Sequence, residues 1–244
     1  MAKIALRNIN LEIKPGEKVA ICGRTGSGKS SLVALLLKLL DPLSSNGGEV
    51  IIDGMPLSQI DRPALRQRIL AVPQEAVFLP DGTTFKLNLD PLNVSTHEEC
   101  QSVLSTVGLW HFVRGLGGLD SGMSADSLSA GQRQLLSLGR VLLRRRVRAR
   151  NTGLTGNATD SGILLLDEVS SSVDHETERV MQEIIRTEFR NYTVVAVSHR
   201  LDMIMDFDIV VVMDSGEIVE VGVPKKLSAE PGSRFGDLVR AGGK

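Results

Sequence analysis

The sequence predicts an α/β fold in which a mostly parallel β-sheet carries helices on both faces. Short apolar segments typical of buried strands alternate with segments of helical periodicity along the 244 residues. A glycine-rich turn joins one such strand, residues 18–22, to a helix, and a later strand at 163–166 ends in two carboxylates. Because strand–helix–strand crossovers pair strands in parallel and cover both faces, most of the sheet is predicted to be parallel.

Composition and charge argue against several classes of function. The net charge of −1 disfavours general electrostatic attraction to nucleic acid. The longest apolar run, residues 32–40, contains Lys38 and is too short to span a bilayer, so this chain alone is predicted not to cross a membrane. Cys22 and Cys100 offer neither a disulfide framework nor metal-ligand spacing, which predicts a reducing compartment, the cytosol.

The N-terminal region is predicted to form antiparallel strands. Residues 4–13 alternate apolar and polar side chains, residues 14–17 contain the turn pair Pro-Gly, and residues 18–22 follow as a buried strand. A helix is predicted over residues 31–40, and the Asp-Pro pair that follows is expected to end it. Residues 49–54 are predicted to form a strand with a tight turn.

The glycine-rich turn matches the phosphate-binding pattern G-x-x-x-x-G-K-[ST] and lies between a strand and a helix, where the pattern has physical meaning. It consists of Gly23, Arg24, Thr25, Gly26, Ser27, Gly28, Lys29 and Ser30, and Ser31 begins the predicted helix. Backbone N–H groups and the positive end of the helix dipole would surround a polyphosphate. Lys29 is predicted to reach the β- and γ-phosphates and the Ser30 hydroxyl to bind Mg²⁺. The alternative is a glycine-rich turn without a ligand.

Two carboxylates end the apolar strand at residues 163–166. Since the carboxyl ends of parallel strands form the ligand crevice of such a sheet, Asp167 and Glu168 would reach the phosphate site. Asp167 is predicted to bind the metal, usually through water, and Glu168 to orient or deprotonate the attacking water. Two solvated acids at a strand end are the alternative.

Gln74 and His199 also follow apolar strands, which end at residues 72 and 197. Both strand ends should open towards the γ-phosphate. Gln74 is predicted to approach Mg²⁺ and the attacking water, and His199 to donate to the γ-phosphate or to pair with Glu168. Structural roles for these two polar residues remain open.

The remaining chain continues the alternation of strands and helices. Helices are predicted over residues 96–113, 131–148 and 175–190, strands over 193–197 and 209–213, and an antiparallel C-terminal hairpin around a turn at 214–217. One segment does not fit this pattern, because residues 144–150 are strongly basic and residues 151–162 are polar and aperiodic. A solvated helix end with a disordered insertion is favoured over a contact with nucleic acid or anionic lipid.

Residues Leu128, Ser129, Ala130, Gly131 and Gln132 match the L-S-x-G-Q signature of ATP-binding cassette (ABC) ATPases. Six elements also follow the order found in that family. They are the phosphate-binding turn, Gln74, this signature, the acidic strand end, a D-loop region at residues 170–174, and His199. The chain therefore resembles the nucleotide-binding domain of an ABC transporter, a P-loop NTPase, over nearly its whole length.

In finer detail the chain is similar to the second nucleotide-binding domain of fungal C-subfamily transporters, the multidrug-resistance-associated group. The segments that carry this likeness are residues 23–26, 87–91 and 167–174, together with Ala130 at the third signature position.

The resemblance implies a function, two cofactors and two kinds of partner. ATP and Mg²⁺ would bind, and ATP-driven head-to-tail pairing with a second ABC nucleotide-binding domain would drive solute export through transmembrane domains. Ser129, Ala130, Gly131 and Gln132 would cap the nucleotide of the opposing domain, and Asp174 of the D-loop would belong to the nucleotide site. The chain would lie on the cytosolic face of a membrane, the isolated chain would be soluble in the cytoplasm, and no nucleic-acid partner is implied.

The resemblance also implies one ABC-type domain over residues 1–244. Its ATPase core would comprise residues 1–74 and 163–244, its helical signature subdomain residues 75–150, and a flexible insertion residues 151–162. Family members usually supply an aromatic side chain that stacks on adenine.

Residues 1–22 contain no Phe, Tyr or Trp. An N-terminally truncated domain with weakened adenine binding is therefore expected. Two alternatives to a transporter ATPase stay open: a soluble ABC ATPase without a membrane partner, and a truncated, weakly active remnant that binds nucleotide.

Overall fold

The computed structural model describes residues 4–42, 48–151, 160–169, 173–201 and 204–242. The strands are β1 (Lys18–Cys22), β2 (Ile51–Ile52), β3 (Met55–Pro56), β4 (Ile69–Val72), β5 (Ile163–Asp167), β6 (Thr193–Val197), β7 (Ile209–Asp214) and β8 (Glu217–Gly222). The α-helices are α1 (Lys29–Leu36), α2 (Arg62–Arg68), α3 (Phe85–Leu89), α4 (His97–Thr106), α5 (Trp110–Gly115), α6 (Ala130–Asn151), α7 (His175–Glu188), α8 (Pro224–Ala229) and α9 (Arg234–Gly242).

The main sheet has the strand order β4-β5-β6-β1-β7-β8. Strands β5, β6, β1 and β7 pair in parallel, and β8 pairs antiparallel with β7. The prediction of a mostly parallel sheet with an antiparallel C-terminal hairpin is therefore confirmed. Its central strands have a continuous apolar sequence because both faces are buried, and Val19, Ala20 and Ile21 of β1 are fully buried.

The chain divides into two compact units. The first comprises residues up to 70, residues 162–168 and residues from 192 onwards, and the second comprises residues 71–161 and 169–191. Residues 169–191, predicted as part of the ATPase core, share a compact unit with residues 71–161, so helix α7 groups with α6. Glu188 at the end of α7 explains this grouping, because it pairs with Arg145 at 2.7 Å and with Arg146 at 3.1 Å on α6.

The first unit buries its C-terminal helices against the sheet. Phe235 of α9 and Leu227 of α8 join a core cluster with residues of β1 and β7. The N-terminus of α9 is fixed by the Glu220 carboxylate on β8, which accepts hydrogen bonds from the Phe235 N–H at 2.7 Å and the Ser233 hydroxyl at 3.0 Å. The C-terminal part of the chain is thereby attached to the strands that lead to the glycine-rich turn.

The second unit is built around α6. Leu138 and Leu142 of this helix are fully buried, and Gly139 lets α3 and α4 approach closely. A Cβ at Gly139 would lie 3.3 Å from Leu89, which is tight, and 3.6 Å from Val103, which is ordinary van der Waals contact. Helices α3 and α4 therefore lie directly against the long helix that begins at the signature residues.

Two N-terminal predictions are wrong. Residues 4–17 form no strand, because Asn8 takes a left-handed φ of 49° that interrupts an extended course. The segment is instead attached through the Arg7 N–H, which donates to the Gly216 carbonyl at 2.8 Å. Helix α1 ends at Leu36 rather than residue 40, because Lys38 has a φ of 55° and its ammonium donates to the Ile60 carbonyl at 2.7 Å.

Other boundaries differ more modestly. The helix predicted over residues 96–113 is two helices, α4 and α5, since Gly108 takes a φ of 76° between them. The helix predicted to residue 190 ends at Glu188.

The basic run at the end of α6 is paired rather than solvated. Arg145 and Arg148 both bind the Asp160 carboxylate, at 2.5 and 3.1 Å, and Arg150 binds Glu99 at 2.6 Å. These pairs consume charge that an anionic partner would otherwise need, and only Arg150, with a side chain 44% exposed, still resembles a solvated helix end. Residues 152–159 of the predicted flexible insertion lie outside the described residues.

None of the helices that the structure describes combines the length and apolar character needed to cross a membrane.

Thr96 provides a test of helix capping in the second unit. Its hydroxyl accepts from the Glu99 N–H at 3.2 Å and the Glu99 carboxylate accepts from the Thr96 N–H at 2.8 Å, a reciprocal capping box. We expect Thr96→Ala to lower the free energy of unfolding by about 1 kcal/mol, measured by urea denaturation. Ser105→Ala on the same helix is the control, and an equal loss there would contradict the capping assignment.

Candidate functional site

Gly23 and Gly28 fix the path of the glycine loop, which we define as residues 23–30. Gly23 has a φ of 146°, and a Cβ there would lie 2.2 Å from the Met213 carbonyl oxygen. Gly28 has a φ of 107° at the position that caps the N-terminus of α1. Both conformations favour glycine, so the loop can turn tightly into the helix.

The turn between β7 and β8 holds the glycine loop in place. The Gly216 N–H donates to the Ser27 carbonyl at 2.9 Å, and the Ser27 N–H donates to the Arg24 carbonyl at 3.1 Å. A Cβ at Gly216 would lie 2.5 Å from the Ala5 carbonyl, so the N-terminal segment closes over this turn. The loop is thus fixed by main-chain contacts that do not depend on a ligand.

Lys29 is buried under the loop with only 4% of its surface exposed. Its ammonium donates to the carbonyls of Gly23 at 2.9 Å and Arg24 at 3.2 Å. Burial lowers the pKa of Lys29, and the negative charges of Glu168 and Asp167 oppose that shift. An ammonium has three donors, so these two bonds leave one donor for an anion.

Asp167 ends β5 with a carboxylate that is only partly satisfied. Its Oδ1 is buried and has no hydrogen-bond donor among the described residues. Burial raises the pKa of Asp167, the neighbouring charge of Glu168 raises it further, and Lys29 lowers it. A cation bound to this oxygen would take the place of the missing hydrogen-bond donor. It would also reduce the repulsion between the Asp167 and Glu168 carboxylates.

Glu168 and His199 form a close pair. Their side chains meet at 2.7 Å between Oε1 of Glu168 and Nε2 of His199, with 14% of the Glu168 side chain and 42% of the His199 side chain exposed. Glu168 takes a left-handed φ of 49° and its N–H donates to the Val197 carbonyl at 2.9 Å. Ser198 supports the histidine turn, because its hydroxyl accepts from the Arg200 N–H at 3.0 Å.

The sheet register explains why these groups gather. Asp167 and Ile21 both pair with Val197, so the carboxyl ends of β5, β6 and β1 are level. The first unit therefore brings together the glycine loop, Lys29, Asp167, Glu168 and His199. An ammonium, two carboxylates and an imidazole thus lie at one sheet edge. These groups suit the binding of a polyphosphate and the activation of water.

The residues present fit a polyphosphate with Mg²⁺. Besides the Asp167 oxygen, the Ser27 hydroxyl is buried without a partner among the described residues. No cluster of three or more His, Cys, Asp or Glu in the described chain could hold a metal by itself. This sparse donor set suits Mg²⁺, which usually takes one or two carboxylates and fills its other positions with water and phosphate oxygens.

The other predicted loop residues lie at the surface or in the first turn of α1. Arg24, Thr25, Gly26 and Ser30 are exposed, and Ser31 is half-buried. Their exposure leaves them accessible to a ligand.

The signature residues begin α6 in the second unit. The Ser129 hydroxyl accepts from the Gln132 N–H at 3.1 Å, and the Gln132 side-chain carbonyl accepts from the Ser129 N–H at 2.9 Å. Ser129 is exposed and Ala130 is half-buried, whereas Gly131 is buried where a Cβ would lie 2.8 Å from the Thr177 hydroxyl. The signature is therefore a self-capped helix start that packs closely on α7.

Asp174 caps the N-terminus of α7. Its carboxylate accepts from the Thr177 N–H at 2.9 Å and from the Thr177 hydroxyl at 2.8 Å. These hydrogen bonds lower the pKa of Asp174. The rest of the predicted D-loop, residues 170–172, lies outside the described residues.

Gln74 lies after β4 and is exposed, and its main-chain carbonyl accepts a hydrogen bond from Gln134 Nε2 at 2.5 Å.

Two residues that contact predicted site residues, Gln134 and Thr177, were not predicted from the sequence. Gln134 could have been found, because a polar residue there interrupts the buried apolar positions of α6 two residues after the signature. Thr177 carries no such signal, since a threonine three residues after an acid is common at helix starts.

Comparison with known proteins identifies relatives along most of the chain. The profile of the family described as ABC transporter matches residues 6–147, more than half of the chain. The ABC-type transporter braE of Annulohypoxylon truncatum is 66% identical over 240 residues, which are 98% of this chain and 16% of braE. The ABC transporter FGM5 of Gibberella zeae is 53% identical over 236 residues, which are 96% of this chain and 16% of FGM5.

A solved structure shares the fold. The structure of a bacterial Atm1-family ABC exporter with ATP bound matches with a TM-score of 0.82 and 26% identity, over 97% of this chain and 39% of the exporter chain. The chain thus spans about one sixth of the two curated relatives named above. With the glycine loop and the signature helix in place, the chain belongs to the ABC transporter family and is an ATP-binding domain of that family.

Proposed function

We propose that this chain binds ATP with Mg²⁺, hydrolyses the ATP and thereby drives the export of a solute by a larger transporter. The observation that carries this proposal is the meeting of Glu168 with His199 at 2.7 Å in the same unit as the buried Lys29. A carboxylate held by an imidazole is a general base, and a buried ammonium under a glycine loop is a phosphate ligand.

Binding begins at the glycine loop. The N–H groups of the glycine loop other than that of Ser27, together with the positive end of α1, hold the β- and γ-phosphates, and the third donor of Lys29 reaches them. Arg24, Thr25, Gly26 and Ser31 complete the loop's contacts. Mg²⁺ would neutralise charge on the phosphates, and Ser30 and Asp167 are its proposed protein ligands in the first unit.

Hydrolysis depends on the pair at the strand ends. Glu168 accepts the proton of the attacking water, because the contact with His199 at 2.7 Å orients its carboxylate. Of the two predicted roles of His199, pairing with Glu168 is the one that the contact between Nε2 and Oε1 supports. The left-handed backbone of Glu168 supports this role, because such strain is found where a side chain must be aimed.

The second unit is proposed to act on another cassette. Ser129, Ala130, Gly131 and Gln132 face the nucleotide of a second ABC domain bound head to tail, with Asp174 contributing to that site. Hydrolysis removes the γ-phosphate that both domains contact, so the paired state loses its differential stabilisation. The separation of the paired domains would then drive solute export through the transmembrane domains. The chain is proposed to lie on the cytosolic face of the membrane.

The transporter assignment is supported by the relatives, which are named as transporters in fungi, and by the exporter of similar fold. We also propose that the chain is the second nucleotide-binding domain of a C-subfamily transporter. The segments that support this are residues 87–91 and 167–174, together with Ala130. No relative reported above favours a soluble ABC ATPase or a weakly active remnant.

Replacement of Lys29 tests nucleotide binding. We expect Lys29→Ala to weaken binding of Mg-ATP to the chain roughly tenfold to a hundredfold, because charge-assisted hydrogen bonds to the phosphates are lost. Isothermal titration calorimetry measures the change. The exposed Lys226→Ala is the matched control, and equal affinities for Lys29→Ala and the parent chain would remove Lys29 from the site.

Replacement of Glu168 separates binding from hydrolysis. We expect Glu168→Gln to reduce ATP turnover by about two to four orders of magnitude while ATP still binds, because the amide cannot accept the proton of the water. Phosphate release and a binding titration are measured on the same preparation. Glu183→Gln, on the exposed face of α7, is the control. Normal turnover in Glu168→Gln would exclude Glu168 as the base.

A further inference from the structure

Ser198 closes the bend that carries His199. It is 6% exposed, and its hydroxyl accepts from the Arg200 N–H at 3.0 Å and donates to the Arg200 carbonyl at 3.0 Å. Both partners belong to the residue two positions further along the chain, so His199 is the middle residue of the bend. A serine hydroxyl that bonds its own main chain in this way replaces the next step of a strand with a turn.

Main-chain bonds fix the backbone on both sides of the pair formed by Glu168 and His199. The Ser198 N–H donates to the Ile21 carbonyl at 3.2 Å, and the Glu168 N–H donates to the Val197 carbonyl at 2.9 Å. These two bonds do not depend on side chains, so they can form in any variant of Ser198. Of the contacts at the end of β6, the hydroxyl of Ser198 is therefore the side-chain group that directs the chain at His199.

The contact between Glu168 and His199 is sensitive to that direction. Nε2 of His199 lies 2.7 Å from Oε1 of Glu168. Hydrogen bonds between nitrogen and oxygen extend to about 3.2 Å, so a displacement of about 1 Å would break this one. The His199 side chain is 42% exposed and that of Glu168 is 14% exposed, so packing restrains the imidazole less than the carboxylate. The position of the imidazole therefore depends on the bend beneath it.

We propose that Ser198 is a positioning residue for the pair of Glu168 and His199. Its two bonds to Arg200 hold the bend at which the imidazole meets the carboxylate. Ser198 acts through His199, since both bonds of its hydroxyl are made to the main chain of Arg200. The consequence for hydrolysis rests on the proposed function, in which Glu168 accepts the proton of the attacking water.

Three variants separate the hydroxyl of Ser198 from the space that it fills. Ser198→Ala removes both bonds, and Ser198→Thr retains the hydroxyl. Ser198→Cys keeps the shape of the side chain, but a thiol is a weak donor and a weak acceptor. Thermal melting checks the folding of each variant, and Ser198→Cys takes the place of Ser198→Ala if the alanine variant does not fold. Ser228→Ala is the matched control, because the Ser228 hydroxyl also donates to a main-chain carbonyl, that of Lys225 at 3.1 Å.

The first readout is the NMR signal of the His199 Nε2 in the nucleotide-free chain at constant pH, identified by its absence from His199→Gln. In the parent chain and in Ser228→Ala, Glu168→Gln should shift this signal, because the partner of the imidazole changes from a carboxylate to an amide. In Ser198→Ala the same replacement should leave the signal unshifted, since the pair is already separated. Ser198→Thr should respond as the parent chain does.

The second readout is ATP turnover beside the dissociation constant for ATP. We expect Ser198→Ala to reduce turnover roughly tenfold or more with the dissociation constant unchanged, because a misplaced catalytic group slows the reaction without weakening binding. Ser198→Thr and Ser228→Ala should retain the turnover of the parent chain. Added to Glu168→Gln, Ser198→Ala should cause less than about a twofold further loss, because residues that act as a unit are not additive.

Each outcome decides between a positioning role and a merely structural one. Unchanged turnover in Ser198→Ala, an equal loss in Ser198→Thr, or an undiminished further loss in the Glu168→Gln chain overturns the inference. It is also overturned if Glu168→Gln shifts the His199 signal equally in Ser198→Ala and in the parent chain. A parent chain that hydrolyses no ATP overturns the proposed function instead, and the NMR signal then decides by itself whether Ser198 places the imidazole.

Discussion

The buried ammonium of Lys29 is the interaction on which the site of the first unit depends. An isolated charge in the protein interior is costly, and this one is tolerated because the carbonyls of Gly23 and Arg24 accept its protons and two carboxylates lie in its field. The backbone that presents those carbonyls includes Gly23 with a φ of 146°, a value that favours glycine. The glycine, the lysine and the acids are thus parts of one electrostatic arrangement rather than separate motif positions.

The same constraint explains the backbone at Glu168. A non-glycine residue with a φ of 49° carries a conformational cost of roughly 1–3 kcal/mol. The cost is offset locally, since the Glu168 N–H donates to the Val197 carbonyl and its carboxylate meets His199. An extended backbone at this position would continue β5 and would direct the side chain along the strand alternation. The left-handed turn instead ends β5 and places the Glu168 carboxylate against His199.

Features that depend on sequence periodicity and glycine were predictable. The strands β1, β4 and β6 have the bounds that their apolar runs predict, and the glycine loop lies between strand and helix as its pattern requires. Features that depend on distant partners were not predictable. Residues 4–13 alternate as a strand does, yet the conformation of Asn8 and the attachment of Arg7 to Gly216 decide their course.

The candidate site shows the same division. The motif residues could be named from spacing, because phosphate and metal chemistry require particular residue types in order. The fixation of Gln74 by Gln134 could not, since 60 residues separate the two partners. The pairing of the α6 arginines with Asp160 and Glu188 was likewise invisible, because a basic run carries no mark of which acids will meet it.

The second unit shows how one side chain can serve a helix and a ligand site. Ser129 and Asp174 were predicted as nucleotide contacts, and in this structure both oxygens cap the helices that follow them. A cap satisfies only part of the N-terminal N–H groups, so the remaining donors and the helix dipole stay available to an anion. Capping also fixes the direction in which those donors point. A rigid helix start is therefore a better anion ligand than a loop would be, so the capping bond of Ser129 supports its proposed role, whereas the Asp174 carboxylate offsets the positive end of α7.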